Sequence, residues 1–159
     1  MLIAPLQDAL NQQLNEELYS SNLYLSLSAF LDDESLGGMA AWMRRQAHEE
    51  RKHMMRFYEY IKKRGGRVRP SGLPQPPTEW SSAREAFETA LAHEELMSQH
   101  IGDLANLAEA EKDRASSGFL RGFVATQAEE EATLRDIVAK LRVFGTDPNG
   151  LLSMDRHLC

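Results

Sequence analysis

Cysteine is nearly absent. The 159-residue chain carries one, Cys159, at its last position, so one chain can form neither an internal disulfide nor a cysteine zinc site, and a reducing compartment suits it. Basic residues are missing from the first 43 positions. Arg44 is the first of them, and Asp8, Glu16, Glu17, Asp32, Asp33 and Glu34 precede it unopposed. Beyond that segment acids and bases balance, so the whole net charge of −6 sits at the start of the chain. This sign of charge disfavours a nucleic-acid partner. No run of about 18 apolar residues exists to span a membrane. The N-terminus lacks the basic and apolar regions of a secretory signal, and a cytoplasmic protein with no membrane partner is expected. Strand patterns are also lacking. What remains, 42% hydrophobic and 26% charged residues, is the composition of a soluble domain long enough to bury one core.

Apolar residues recur at steps of three and four through four long segments, the helical period. The spacing predicts helices over about 6–34, 39–64, 82–110 and 114–144. Pro5 suits a helix start, and Gly37-Gly38 reads as a break. Gly65-Gly66 is a C-terminal signal, and Ser82 with Glu85 forms a capping box. Asp147-Pro148-Asn149-Gly150 reads as a turn, followed by a short helix over 151–158. The expected fold is all-α: a four-helix bundle with a short C-terminal fifth helix. Short links make the first pair of helices antiparallel, and likewise the third and fourth. The connection over 65–81 is rich in proline and could span about 50 Å at ~3.3 Å per residue. A helix over 39–64 is about 39 Å long at 1.5 Å per residue. One long crossover can therefore run the length of the bundle and leave the second and third helices parallel. A mobile linker between two hairpins would instead expose an apolar face on each.

Each apolar stripe is interrupted by glutamate near mid-helix. The stripes read Leu10, Leu14, Glu17, Ser21, Tyr24, Ser28, Leu31; then Met43, Gln46, Glu50, His53, Phe57, Tyr60; then Ala83, Phe87, Ala90, Glu94, Met97, Ile101, Leu104; then Leu120, Phe123, Gln127, Glu130, Leu134, Ile137, Leu141. Mid-helix positions meet at one level whichever way the helices run. Four buried carboxylates at one level would each cost several kcal/mol if left charged and alone. Protonation is one escape; cations are the other. Two divalent ions match the charge of Glu17, Glu50, Glu94 and Glu130 together, and His53, one turn after Glu50, reaches the same place. Oxygen-rich ligation with one imidazole suits Fe(II) or Mn(II) better than structural zinc. Di-iron bundles take one Glu from each of two helices and Glu-x-x-His from each of the others. Here the second helix supplies Glu50-x-x-His53 and the fourth supplies Gln127-x-x-Glu130.

The segments Leu14-Asn15-Glu16-Glu17-Leu18-Tyr19-Ser20-Ser21, His48-Glu49-Glu50-Arg51-Lys52-His53 and Gln127-Ala128-Glu129-Glu130-Glu131 resemble the non-haem bacterial ferritins, and the resemblance covers nearly the whole chain. It implies iron storage with ferroxidase activity: Fe(II) oxidised by O2 or H2O2 at two irons per subunit and kept as ferric mineral in a cage of 24 subunits. Glu17, Glu50 and His53 would hold one iron, and Glu50 would bridge to a second held by Glu94 and Glu130. Gln127 would hydrogen-bond the oxidant between them, and Tyr24 would lie beside the pair. Haem is not expected, because Arg51 and Glu130 stand where the haem-bearing cousins have a Met ligand and a second Glu-x-x-His. A weak third iron site would use Glu49 and Glu129, with Thr126 where another acid is usual. The alternative is a di-iron oxidase or peroxidase of the same fold without mineral storage. His48, His100 and His157 carry no partner pattern, and His93 falls off the stripe. Arg44-Arg45 and Lys62-Lys63-Arg64 read as solvated faces or subunit contacts.

Overall fold

The computed structural model describes residues 1–159. It has five helices and no strand: α1 (Ala4–Asp33), α2 (Gly37–Lys63), α3 (Ala83–Ala110), α4 (Arg114–Phe144) and α5 (Pro148–Leu158). No helix is long and apolar enough to cross a membrane. Pro5 occupies the first turn of α1. At α3 the Ser82 hydroxyl accepts the Glu85 N–H at 3.1 Å, and the Glu85 carboxylate reaches back to the Ser81 N–H, a reciprocal cap. Asp113 accepts the Ser116 N–H at 3.0 Å to start α4.

Two boundaries differ from the sequence reading, both for tertiary reasons. Gly37-Gly38 opens α2 rather than breaking the chain. A Cβ at Gly38 would come within 1.9 Å of the Asp155 carbonyl oxygen, so glycine is there to let α5 approach. Asp155 Oδ1 then accepts the Met39 N–H at 2.7 Å, capping α2 from another helix. The turn expected at 147–150 is the start of α5: Asp147 Oδ1 accepts the Gly150 N–H at 2.8 Å, and Pro148 stands in the first turn, where its missing donor costs nothing.

Cross-helix bonds fix the topology. Glu16 meets His100, Ser20 meets His93, and Tyr24 meets Glu94. Glu16 on α1 faces the later residue of α3 and Ser20 and Tyr24 face the earlier ones, so the two are antiparallel and α2 runs parallel to α3. The crossover lies along α1. Gln7 Oε1 accepts the Arg67 N–H at 2.8 Å, Asn11 Oδ1 accepts that of Arg69, and Asn15 Oδ1 accepts that of Ser71 at 2.9 Å. Asn11 and Asn15 also donate to the Arg67 and Arg69 carbonyls at 2.9 and 3.1 Å. Side-chain amides one helical turn apart thus read every second residue of an extended segment, as a neighbouring strand would.

The apolar core is split in two. One layer holds Leu27, Leu31, Met43, Phe87, Val138 and Leu141 with their neighbours. The other holds Leu6, Leu10, Phe57, Ile101, Leu120 and Phe123 with theirs. Between them, at mid-bundle, lie Glu17, Glu50, His53, Glu94 and Gln127, all buried. Of the four sequence stripes only Gln46, Tyr60 and Glu130 are partly exposed.

Several residues read as solvated faces or subunit contacts, or as carrying no partner pattern, have partners within the chain. Arg64 grips Asp113 through two bonds of 3.0 Å, joining the end of α2 to the start of α4. Arg44 pairs with Asp32 at 3.3 Å, and Arg45 donates to the Leu158 carbonyl at 2.8 Å. His100 contacts Glu16. These partners lie far off in sequence, where no local pattern marks them.

Candidate metal centre

The belt brings one side chain from each long helix to a common point, plus His53 one turn beyond Glu50. Glu17, Glu50 and His53 offer ligand atoms lying within 4.8 Å of one another, and so do Glu50, Glu94 and Glu130. Glu50 belongs to both groups. His53 Nδ1 stands 3.2 Å from Glu50 Oε2 and 3.9 Å from Glu17 Oε2, while Nε2 stands 3.8 Å from Glu130 Oε1. The imidazole is held edge-on to the Phe123 ring, centroids 5.6 Å apart.

Three carboxylate oxygens here, Glu17 Oε2, Glu50 Oε1 and Glu130 Oε2, are buried with no hydrogen-bond partner. Buried acceptors are ordinarily satisfied, and a sealed carboxylate that finds neither donor nor cation takes a proton instead. Burial pushes the Glu17 carboxyl well above its usual range, with the nearby Glu50 charge adding to it. Burial likewise raises Glu50, opposed by the neighbouring Glu17 carboxyl and helped by the charges of Glu94 and Glu130. Burial and the Glu94 charge carry Glu130 up to about 8. Burial, then the charges of Glu94 and Glu50, raises the Tyr24 phenol, which stays neutral. Burial thus favours the protonated form of these acids in the metal-free chain. The donor set of four carboxylates and one imidazole fits two hard or borderline divalent ions.

The remaining expected residues fall into three positions. Tyr24 donates to Glu94 Oε1 at 2.6 Å, and Gln127 donates to Glu94 Oε2 at 2.9 Å. Both orient that carboxylate, and the Gln127 amide nitrogen is a donor to a ligand here. Glu130 is less sealed than the stripe implied, its side chain 18% exposed. It faces an opening of about 200 Å³ lined with Tyr24, Trp42, Gln46, Glu129 and Thr133. Glu49 and Glu129 join neither convergent group. Glu49 pairs with Lys52 at 2.9 Å, Glu129 is exposed, and the Thr126 hydroxyl donates to the Gly122 carbonyl at 3.0 Å.

One contributor escaped the sequence reading. Gln13, buried one turn before Glu17, donates to Glu17 Oε1 at 3.1 Å; its i, i+4 spacing was the available signal. His93 is largely enclosed: its Nε2 lies 2.6 Å from the Ser20 hydroxyl and its ring tilts against Tyr19. Burial pushes it below the usual imidazole range.

Residues 7–144 match the ferritin-like domain of the ferritin family. The chain is 42% identical over 158 residues to the bacterial non-heme ferritin of Bacteroides fragilis strain YCH46, covering 99% of this chain and 98% of that one. It is 37% identical to the bacterial non-heme ferritin of Escherichia coli O157:H7, covering 99% and 96%. Among solved structures it superimposes with a TM-score of 0.98 on the open pore ferritin of the hyperthermophilic archaeon Archaeoglobus fulgidus. That pair shares 42% identity over 99% of this chain and 97% of the other.

Proposed function

The chain belongs to the ferritin family, and on that footing we propose that it stores iron, oxidising Fe(II) with O2 or H2O2 at an intrasubunit pair of sites and keeping the product as ferric mineral in a cytoplasmic cage. The observation that carries this reading is the pair of ligand groups sharing Glu50, with three orphaned carboxylate oxygens among them. Glu17, Glu50 and His53 hold one Fe(II) as substrate; Glu50, Glu94 and Glu130 hold the other. His53 binds through Nδ1, the nitrogen facing Glu17 and Glu50. Haem has no part in it, with Arg51 in place of a thioether ligand.

Binding displaces the protons that Glu17, Glu50 and Glu130 hold in the empty protein, so iron uptake releases protons. Each Fe(II) then gives up one electron. The two electrons reduce O2 to H2O2 with uptake of two protons, or reduce H2O2 to two water molecules likewise. Tyr24 and Gln127 keep Glu94 aimed inward throughout. Phe57 and Phe123, with ring centroids 4.5 Å apart, close one side against water. Oxidation raises the bound charge from +4 to +6 against four carboxylates. Release of the oxidised product is directed to the Glu130 side, where the belt is open.

Aerobic loading with excess Fe(II), followed by size-exclusion chromatography with iron analysis, tests the reading. Storage predicts a large assembly that retains iron far beyond two per chain. A small assembly that turns over oxidant and retains only two irons per chain would favour the oxidase or peroxidase alternative.

A further inference from the structure

Outside the belt, a carboxylate and an imidazole meet across the α1/α3 seam. Glu16 contacts His100 Nδ1, with side chains 25% and 33% exposed. The pair stands where two cavities adjoin. The smaller, about 220 Å³, is also lined by Gln12, Gln13 and Asp103. The larger, about 570 Å³, runs beneath the crossover at Ser71–Pro74 and reaches His93. Asp103, three residues after His100, adds a second carboxylate on the same helix face. The Gln12 amide donates to Glu16 Oε1 at 3.3 Å, which leaves Oε2 to His100.

Two details separate this cluster from a plain ion pair stitching two helices. The first is His93, whose Nε2 lies 2.6 Å from the Ser20 hydroxyl, so that its ring is tied to α1 while it lines the larger cavity. The second is Gln13. It lines the smaller cavity yet is only 3% exposed, and its amide is bonded to Glu17 Oε1. One side chain thus separates the cavity, with its carboxylate and imidazole, from the sealed belt.

We propose that Glu16 Oε2 and His100 Nδ1 hold a hydrated divalent transition-metal ion, Fe(II) in the working protein, as a capture site from which the ion passes Gln13 to Glu17. One oxygen and one nitrogen ligand suit Fe(II), Co(II) or Zn(II), with water completing the shell. The ion takes the place of the direct contact between the two side chains. Asp103 and His93 lie on either side of the pair along α3, where they draw and hold the hydrated ion. Two protein ligands make a weak site, and a transfer site must let its ion go. The purpose assigned to the site rests on the iron reading above; its existence does not.

Co(II) titration of the full-length assembled protein by calorimetry tests both separately. In a Glu17→Ala/Glu50→Ala background the belt is disabled, and one residual site per chain is expected. Adding His100→Ala, or the isosteric Glu16→Gln, should weaken that residual site about tenfold or more, as loss of a metal-orienting group does. No residual binding, or residual binding indifferent to both changes, would overturn the capture site. Retention of all Co(II) binding in the double variant would instead overturn the belt as the metal centre. In the otherwise native chain, Glu16→Gln and His100→Ala should raise KM for Fe(II) oxidation more than they lower kcat; an unchanged KM in both would refute the transfer role.

Discussion

The mid-bundle belt and the apolar layers on either side of it are buried alike but stabilise differently. Leu27 and Glu17 are both wholly sealed, ten residues apart on one helix. Leu27 sits in an apolar cluster, and removal from water favours the folded chain by roughly 25 cal/mol per Å² of apolar surface. Around Glu17 the same removal costs free energy until a proton or a cation arrives. The layers hold the bundle together so that the belt can be kept in a state the bare chain would not choose. Stability and function occupy different levels of the same four helices, and substitutions at the two levels should have opposite signatures.

The largest effect separates them directly. Glu50→Ala removes the carboxylate common to both ligand groups. Stopped-flow oxidation of Fe(II) should slow by about a hundredfold or more, the loss of roughly 3 kcal/mol of transition-state stabilisation. Assembly should survive, and the metal-free melting temperature should hold or rise, because a buried acid has gone. Phe57→Ala should do the reverse, costing about 3–5 kcal/mol of stability while two Fe(II) still bind. A Glu50→Ala chain with normal oxidation rates would erase the distinction.

The next test uses pH. A carboxyl raised on folding keeps its proton where the unfolded chain has lost it. Its stabilising contribution is complete below the unfolded value of about 4.3 and is lost as pH climbs toward about 8, the value for Glu130. The metal-free protein should therefore melt at a lower temperature at pH 8 than at pH 5.5. Glu130→Gln should flatten that slope, and Zn(II) at pH 8 should restore the lost stability. Calorimetric melts across this range check it; a slope of opposite sign would mean the belt acids are charged and solvated.

The smallest test lies outside both regions. Ser35 and Lys112, in the two tight inter-helix links, hold left-handed backbone with φ of 61° and 56°. Ser35→Gly and Lys112→Gly should each stabilise by about 0.5–1 kcal/mol. Neither should change iron stoichiometry, which chemical denaturation and iron assay of the same samples would establish.

Much of this was legible in the sequence because both levels repeat with the helical period. Leu10, Leu14, Leu31, Phe87 and Leu141 announce the layers, and Glu17, Glu50, Glu94 and Glu130 interrupt them at matching depth. Long-range partners were not legible. Gln7, Asn11 and Asn15 look like an ordinary polar helix face, yet they bind the crossover backbone some 60 residues on. Gly37-Gly38 reads as a break because nothing local reveals that α5 packs there. The partial exposure of Glu130 arises from an opening beside Trp42 and Gln46, a shape that no stripe on α4 encodes. Glu16 and His100 lie 84 residues apart, and only the antiparallel pairing of α1 with α3 joins them.

The central claim is that the belt acids are tolerable in the core because two divalent ions take the place of their protons. Anaerobic Fe(II) titration of the metal-free protein, followed by calorimetry with proton release measured in parallel, tests this most directly. The account predicts two strongly held Fe(II) per chain, both lost in Glu17→Ala/Glu50→Ala, with protons released as they bind. Absence of strong binding, or binding without proton release, would contradict it.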